Sequence, residues 1–296
     1  MVEGDEMRRG TTEDFAVTAA GLGFLQRYDR VLAKWPAGTV GVDVPTRHGI
    51  TRVNACGPTD AAPVVLLSGG GATSTSWFVG ASELADEHRV YAIDFLGDPG
   101  RSVVGERLRS VEDLMSWLSD VLGALGLESV AVVGHSYGAM VALAFAARHP
   151  GRVDRLVLLD PNSCFAGFRP DYLLRAVPLL LRPTAARQRA LIGWETAGSE
   201  IDRDWLDLVA YGAEHFPSTR PVVPGRPRPG DLERVVCPTM VLLAGRSRIH
   251  DIGKVEAGVR KRLPHAGIET VAGLSHYTLP MAGAESTVAL SDALRG

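Results

Sequence analysis

The amino-acid sequence predicts an α/β fold in which an eight-stranded, mostly parallel sheet is flanked by helices. Two observations lead to this prediction. Short apolar runs of strand length recur along the chain, and most of them alternate with helix-like stretches. One of these runs leads directly into the segment GHSYG at 134–138 and then into a helix of small residues. Strands that are apolar throughout are buried on both faces, so helices are expected on both sides of the sheet.

The first predicted element is an amphipathic helix over 11–33, where apolar residues recur at steps of three and four. It belongs to a predicted N-terminal helical extension over 1–39. Two strands follow at 40–45 and 50–56 and are expected to pair in antiparallel fashion. Six further strands, which alternate with helices, are predicted at 63–68, 89–94, 129–134, 155–160, 239–245 and 267–273.

One connection is far longer than the others. The segment 161–238 separates the sixth strand from the seventh, whereas a βα connection usually has about 2–6 residues. It contains helical patterns and then a Pro-rich passage at 216–231. We therefore predict a helical lid over 161–238, inserted after strand 6 into a core formed by 40–160 and 239–296.

Composition and charge exclude several classes of protein. Hydrophobic residues make up 46% and charged residues 22%, which is typical of a globular chain. The net charge of −3 provides no basic surface, so a small-molecule substrate is expected rather than nucleic acid or a membrane. Three widely spaced cysteines argue against disulfides and a thiolate zinc site, and no apolar run suits a signal peptide or a membrane span. We expect a cytoplasmic protein, of an oligomeric state that the sequence does not indicate.

The clearest chemical motif lies within 129–146, where an apolar strand, the GHSYG segment and a small-residue helix follow one another. A sharp strand-to-helix turn strains its middle residue. Glycine is needed on both sides because a β-carbon there would collide with the neighbouring strand and helix. Such a turn presents Ser136 at the carboxyl edge of the sheet, where the helix N-terminus favours developing negative charge. The pattern predicts a nucleophilic serine.

From about residue 40 to its end, the chain resembles the α/β-hydrolase family, in the branch with a serine nucleophile. The resemblance implies that Ser136 attacks a carbonyl group. It also implies that His276, in the loop VAGLSHYTLP at 271–280 after the last strand, is the general base. His250 is the other candidate for this base.

The resemblance further implies an oxyanion hole in the segment LLSGGGATSTSW at 66–77, after the third strand. Its donors would be the backbone N–H groups of Gly70 and of Tyr137, the residue after the serine. Ser68 stands where family members usually have a histidine, so we expect this loop to be braced differently.

The acid that orients the histidine is the point at which the sequence departs from the family pattern. Relatives usually have an aspartate after the seventh strand, but LLAGRSRIHD at 242–251 has Ser247 or Arg248 there, depending on the matching. Asp160, at the end of the sixth strand, and Asp251 are the possible replacements. We favour Asp160 because it lies closer to the edge of the sheet, while Asp251 or no acid at all are the alternatives.

These residues predict a serine hydrolase that cleaves a small apolar ester, thioester or lactone through an acyl-enzyme, without a cofactor or metal. A substrate pocket is expected to be lined by Trp77, Phe95, Phe165 and Tyr277. Ser68 replaces the usual histidine and the usual acid is missing near Ser247, so two alternatives stay open: a non-hydrolytic cyclase or lyase on the same fold, and a catalytically silent ligand-binding module.

Overall fold

The structure is a computed structural model that describes residues 12–281 and 283–295. Residues 1–11, the first part of the predicted N-terminal extension, lie outside the described residues. Two helices come first, α1 (Thr12–Ala16) and α2 (Ala19–Leu32). The hydroxyl of Thr18 caps α2 by accepting the N–H of Gly21.

The strands of the described residues lie in one sheet, and the predicted mostly parallel α/β architecture is confirmed. The strands are β1 (Val40–Thr46), β2 (Gly49–Cys56), β3 (Ala62–Leu67), β4 (His88–Ile93), β5 (Val103–Val104), β6 (Val130–His135), β7 (Val153–Leu159), β8 (Thr239–Ala244) and β9 (Gly267–Val271). Their order is β1-β2-β4-β3-β6-β7-β8-β9, with β5 paired to β2. Pairs that include β2 are antiparallel and the others are parallel. The two-residue strand β5 is too short for a sequence pattern to reveal.

Helices cover both faces of the sheet. The remaining helices are α3 (Phe78–Leu84), α4 (Val111–Ala124), α5 (Tyr137–Arg148), α6 (Pro170–Leu181), α7 (Ala185–Thr196), α8 (Arg203–His215), α9 (Pro229–Leu232), α10 (Ile252–Arg262) and α11 (Ala284–Arg295). Alternate residues of β3 contribute to two separate buried layers, Val65 and Leu67 to one with α4 and α5, Val64 and Leu66 to the other with α3 and α11. The continuous apolar runs of the sequence thus reflect burial on both faces.

Helices α6 to α9 form the segment between β7 and β8, and the first long helix of the chain packs against them. Arg27 and Arg30 of α2 form ion pairs with Asp207 of α8 at 2.9 and 2.8 Å. Tyr28 of α2 is fully buried and donates a hydrogen bond to Asp94 after β4, at 2.9 Å. Helix α2 therefore joins the long inserted segment to the core.

The helices within 12–281 and 283–295 include none with both the length and the apolar character that crossing a bilayer requires.

Candidate active site

Ser136 occupies the turn between β6 and α5, and its backbone has a φ of 55°, in the left-handed region that side chains rarely adopt. The two flanking glycines explain how the turn is tolerated. A β-carbon on Gly134 would collide with the carbonyl group of Gly138, and one on Gly138 would collide with the carbonyl oxygen of Leu67 in β3. Close packing of β3, β6 and α5 therefore requires glycine at both positions, as the sequence pattern predicts.

A continuous chain of hydrogen bonds joins three of the predicted site residues. Nε2 of His276 lies 2.9 Å from the hydroxyl oxygen of Ser136, and Nδ1 of the same ring lies 2.6 Å from Oδ2 of Asp160. Asp160 is fully buried, and His276 and Ser136 are 2% and 8% exposed. A carboxylate can only accept, so Nδ1 carries the proton and Nε2 is free to accept one from the serine.

Asp160 is held by donors from the segment that follows β8. His250 donates through Nε2 to Oδ1 at 2.9 Å, and the Ser247 hydroxyl donates to Oδ2 at 2.9 Å. The Ala244 N–H adds a third bond at 3.2 Å. Burial favours the neutral acid, but the neighbouring His250 and His276 outweigh it and hold the pKa of Asp160 well below its usual range. The side chain is therefore an ionised acceptor for the His276 ring.

The structure does not bring the alternative acid, Asp251, to the histidine. Its carboxylate caps α10 by accepting the Lys254 N–H at 3.1 Å, and half of its side chain is exposed. Asp251 is therefore wrong as a candidate for the acid that orients His276. His250, the alternative base, lies on the far oxygen of Asp160 and not beside the serine.

The predicted oxyanion donors line the cavity next to Ser136. Within the described part of the chain, the N–H groups of Gly70 and Tyr137 donate no hydrogen bond, which leaves both free for a ligand. Asp98 accepts the next N–H of the glycine loop, from Gly71, at 3.0 Å. Burial raises the pKa of Asp98 to about 6. Asp98 thus supplies a brace for the loop that Ser68 does not.

His135 is a buried neighbour of His276. Its Nε2 donates to the backbone carbonyl of His276 at 3.0 Å, and the two rings lie 4.6 Å apart. Burial, with the nearby His276, lowers the pKa of His135 to about 3, so this ring stays neutral at physiological pH. It supports the loop that carries His276.

A cavity of about 160 Å³ lies beside Ser136. Of the four predicted pocket residues, Trp77 and Tyr277 line this cavity. Phe95 and Phe165 do not, which corrects that part of the prediction. Phe95 packs on Trp117 in the core, and Phe165 is buried beneath the Arg262 guanidinium. The spacing of these two aromatics indicates burial, but it carries no information about which space they border.

Side chains of the segment 161–238, which the sequence did not name among the pocket residues, complete the cavity wall. Tyr172 of α6, Gln188 of α7 and Trp205 of α8 all border it. The Trp205 indole donates to the Ser76 hydroxyl at 2.9 Å, which fixes the ring against the oxyanion loop side. The amphipathic character of α6 and α8 could have pointed to Tyr172 and Trp205, although helix periodicity marks a buried face without naming its partner. Helix α7 has no distinct apolar face, so its pattern gives no sign of Gln188.

No group of three or more His, Cys, Asp or Glu side chains suited to a metal ion occurs among residues 12–281 and 283–295. This site therefore consists of a hydrogen-bonded aspartate, histidine and serine at the carboxyl edge of a parallel sheet. Two free N–H groups lie beside them.

Comparisons with known proteins agree with this architecture. The Alpha/beta hydrolase family model matches residues 64–290. The chain is 36% identical over 186 residues to the carboxylesterase YbfK of Bacillus subtilis (strain 168), which is 62% of this chain and 62% of that protein. The match therefore spans less than two thirds of this relative's length. The uncharacterized carboxylesterase nap of the same organism is 34% identical over 159 residues, or 54% of this chain and 53% of that protein.

Solved structures extend the likeness over the whole fold. The crystal structure of carboxylesterase CesB (YbfK) from Bacillus subtilis has a TM-score of 0.86 and 26% identity, and the match covers 94% of this chain and 99% of that one. Naproxen esterase from Bacillus subtilis has the same TM-score and coverage at 24% identity, which shows the fold alone.

Fold and site together define an α/β protein with a serine, histidine and aspartate cluster at the carboxyl edge of its sheet. The chain belongs to the alpha/beta hydrolase family.

Proposed function

We propose that this protein is a serine carboxylesterase, with Ser136 as nucleophile, His276 as general base and Asp160 as the acid that orients it. The observation that carries the proposal is the hydrogen-bonded chain from Asp160 through both ring nitrogens of His276 to Ser136, at 2.6 and 2.9 Å. The carboxylesterase YbfK and the uncharacterized carboxylesterase nap of Bacillus subtilis, which the chain resembles, support the same class of reaction.

The first half-reaction forms an acyl-enzyme. The Ser136 oxygen attacks the ester carbonyl carbon while its proton moves to Nε2 of His276. The carbonyl oxygen becomes negatively charged and accepts hydrogen bonds from the N–H groups of Gly70 and Tyr137. When the tetrahedral intermediate collapses, the bond to the alkoxy oxygen breaks, and that oxygen takes the proton from His276 and leaves as the alcohol.

The second half-reaction releases the acid. A water molecule gives a proton to Nε2 of His276 and attacks the acyl carbon, and the same two N–H groups hold the oxyanion. The bond to Ser136 then breaks, its oxygen regains the proton, and the carboxylic acid leaves. Throughout, Asp160 remains ionised and stabilises the imidazolium that forms in each half.

We further propose that the substrate is a small, neutral, rather apolar ester, thioester or lactone. The cavity of about 160 Å³ is lined by the rings of Trp77, Tyr172, Trp205 and Tyr277. It accommodates one compact apolar group. A second, more open cavity of about 530 Å³ shares Gly70, Gln188 and Val209 with the first, so the larger part of the substrate would extend into it. In this arrangement the segment 161–238 acts as a lid.

The non-hydrolytic alternative had its basis in a missing acid, and a carboxylate at 2.6 Å from His276 favours hydrolysis over it. The predicted cytoplasmic location also belongs to this proposal. It is supported by three buried, unpaired cysteines, since free thiols are typical of a reducing compartment.

A fluorophosphonate probe tests the proposal. We expect the intact mass of the protein to rise by one phosphonyl group, and Ser136→Ala to abolish this labelling without a change in melting temperature. Ser82→Ala, at an exposed position of α3, is the matched control and should label as the wild type does. An unlabelled, fully folded wild-type protein that hydrolyses no p-nitrophenyl butyrate would contradict the proposal.

A further inference from the structure

A fully buried acidic side chain from the lid contacts the loop that carries His276. Oε1 of Glu195, in the last turn of α7, accepts the backbone N–H of His276 at 3.0 Å, and Oε2 accepts that of Tyr277 at 3.4 Å. Oε1 also accepts the N–H of Arg248, in the segment after β8, at 3.2 Å. One carboxylate therefore joins the lid to the loop of the proposed base and to the segment that holds Asp160.

The position of Glu195 is energetically unfavourable. Its side chain is 0% exposed, and ionised groups are costly to bury unless they are paired. It lies at the carboxyl end of α7, where the helix dipole opposes negative charge. In the described part of the chain it forms no ion pair, since the Arg248 guanidinium donates instead to the Trp194 carbonyl at 2.8 Å. Its bonds to the three backbone N–H groups are what offset this cost.

We propose that Glu195 is a positioning residue for His276, an inference that rests on the proposed esterase function. Its carboxylate fixes the backbone on which the base is mounted. It also places a second negative charge, in addition to Asp160, near the imidazolium that forms during the reaction. In low-dielectric surroundings such a charge interacts strongly over a few ångströms. The lid would then contribute to the rate as well as to the shape of the cavity.

Several groups that can gain or lose a proton surround the His276 ring. They are Ser136 and Asp160 at its two ring nitrogens, His135 and His250 with ring centroids at 4.6 and 6.4 Å, and Tyr277 at 5.4 Å. Burial, together with the neighbouring Tyr172 and the charge of Glu195, raises the pKa of Tyr277 well above its usual value, so this phenol stays neutral.

Glu195→Gln tests the charge, because it keeps the shape and one acceptor oxygen. We expect kcat on p-nitrophenyl butyrate to fall at least about tenfold, the cost of weakened hydrogen bonds to a charged group, with KM within about twofold. We also expect the acid limb of the pH profile for fluorophosphonate inactivation to move to lower pH, because a negative charge that stabilises the imidazolium is gone. Glu200→Gln, an exposed lid carboxylate, is the control and should match the wild type in both measurements.

Glu195→Asp separates position from charge, and it decides the matter if Glu195→Gln does not fold. The shorter side chain keeps the charge but withdraws it from the N–H groups, so kcat should fall while the acid limb stays in place. Unchanged kcat in either folded variant would overturn the proposal. So would a loss of kcat in Glu195→Gln with an unmoved acid limb, because that result is expected of a purely structural anchor.

The same series separates this proposal from the function it rests on. A wild-type protein without turnover that depends on Ser136 contradicts the esterase assignment itself. Turnover that depends on Ser136 and is unaffected by Glu195→Gln contradicts only the role of Glu195.

Discussion

Ser136 is held in place by backbone geometry, whereas Asp160 is held by side chains of a segment that lies far from it in the sequence. The serine needs only a strand, two glycines and a helix, all within 130–148. The aspartate is instead fixed by His250 and Ser247, which follow a different strand. The proposed nucleophile is therefore tied to one turn of the fold. The acid can come from a neighbouring strand, provided that its oxygen reaches the same ring nitrogen.

The largest effect is expected from Asp160→Asn. The amide keeps the shape but offers no negative charge and can leave the imidazole in the wrong tautomer, so kcat should fall by up to about 10⁴. Steady-state hydrolysis of p-nitrophenyl butyrate measures this loss. Asp251→Asn is the matched control, and its kcat should equal that of the wild type, because this side chain caps α10 away from His276. Reversed effects of the two variants would move the acid to Asp251.

Gly138→Ala tests whether the turn that carries Ser136 requires glycine. Alanine usually stabilises a helix, but here its β-carbon collides with the main chain of Leu67, so we expect a loss of about 3 kcal/mol or more in the free energy of unfolding. Gly123→Ala, at an exposed α4 position with open space around it, should instead gain about 0.5–1 kcal/mol. Urea denaturation measures the free energy of unfolding of both variants. An equal increase in the two would show that the tight approach of α5 to β3 is not required.

The contact of Asp98 with the glycine loop that carries Gly70 and Gly71 can be probed through the stability of the protein. The pKa of Asp98 is raised by burial to about 6, from an ordinary 3.8, so the folded chain keeps a proton that the unfolded chain loses between these values. Stability from this group is therefore greatest below about pH 4 and declines until about pH 6. Asp98→Asn removes the buried charge, and the side-chain oxygen of the asparagine can still accept the Gly71 N–H. Its free energy of unfolding should exceed the wild type's by up to roughly 3 kcal/mol above pH 6.

The difference between the Asp98→Asn variant and the wild type should shrink below pH 4, where the wild-type carboxyl is protonated in both states. Denaturation at pH 4 and pH 8 measures it, with Asp60→Asn at an exposed loop position as the control. A difference that grows toward acid pH would contradict the sign of the argument.

The smallest effect is expected from Ser247→Ala. Asp160 loses one hydrogen bond of 2.9 Å but keeps His250, the Ala244 N–H and His276. We expect kcat to fall by about tenfold, as for one hydrogen bond to a charged group. A loss as large as that of Asp160→Asn would mean that the hydroxyl, and not the set of donors together, holds the carboxylate.

Features formed by neighbouring residues could be predicted from the sequence. Strand and helix periodicity, the glycines around Ser136 and the loop position of His276 are all local patterns, and the structure places them as expected. The contacts of Ser136 and Asp160 with His276 join residues 140 and 116 positions apart, and only the family resemblance led us to expect them. Other contacts between distant residues could not be predicted. His250 is 90 positions from Asp160, and Glu195 is 81 positions from His276. In the sequence, Glu195 is one polar residue in a helical pattern, because periodicity does not reveal which helix face another segment will cover.

The ion pairs between α2 and α8 have a consequence for the order in which a newly synthesised chain becomes complete. Arg30 and Asp207 are 177 positions apart, whereas Tyr28 and Asp94 are only 66 apart. As the chain emerges from the ribosome, α2 can dock on the growing sheet while its arginines still face solvent. Helix α8, which carries Trp205 in the cavity wall, is synthesised later, and His276 is synthesised later still. A nascent chain thus contains the turn at Ser136 well before it has either a closed pocket or the histidine that we propose as the base.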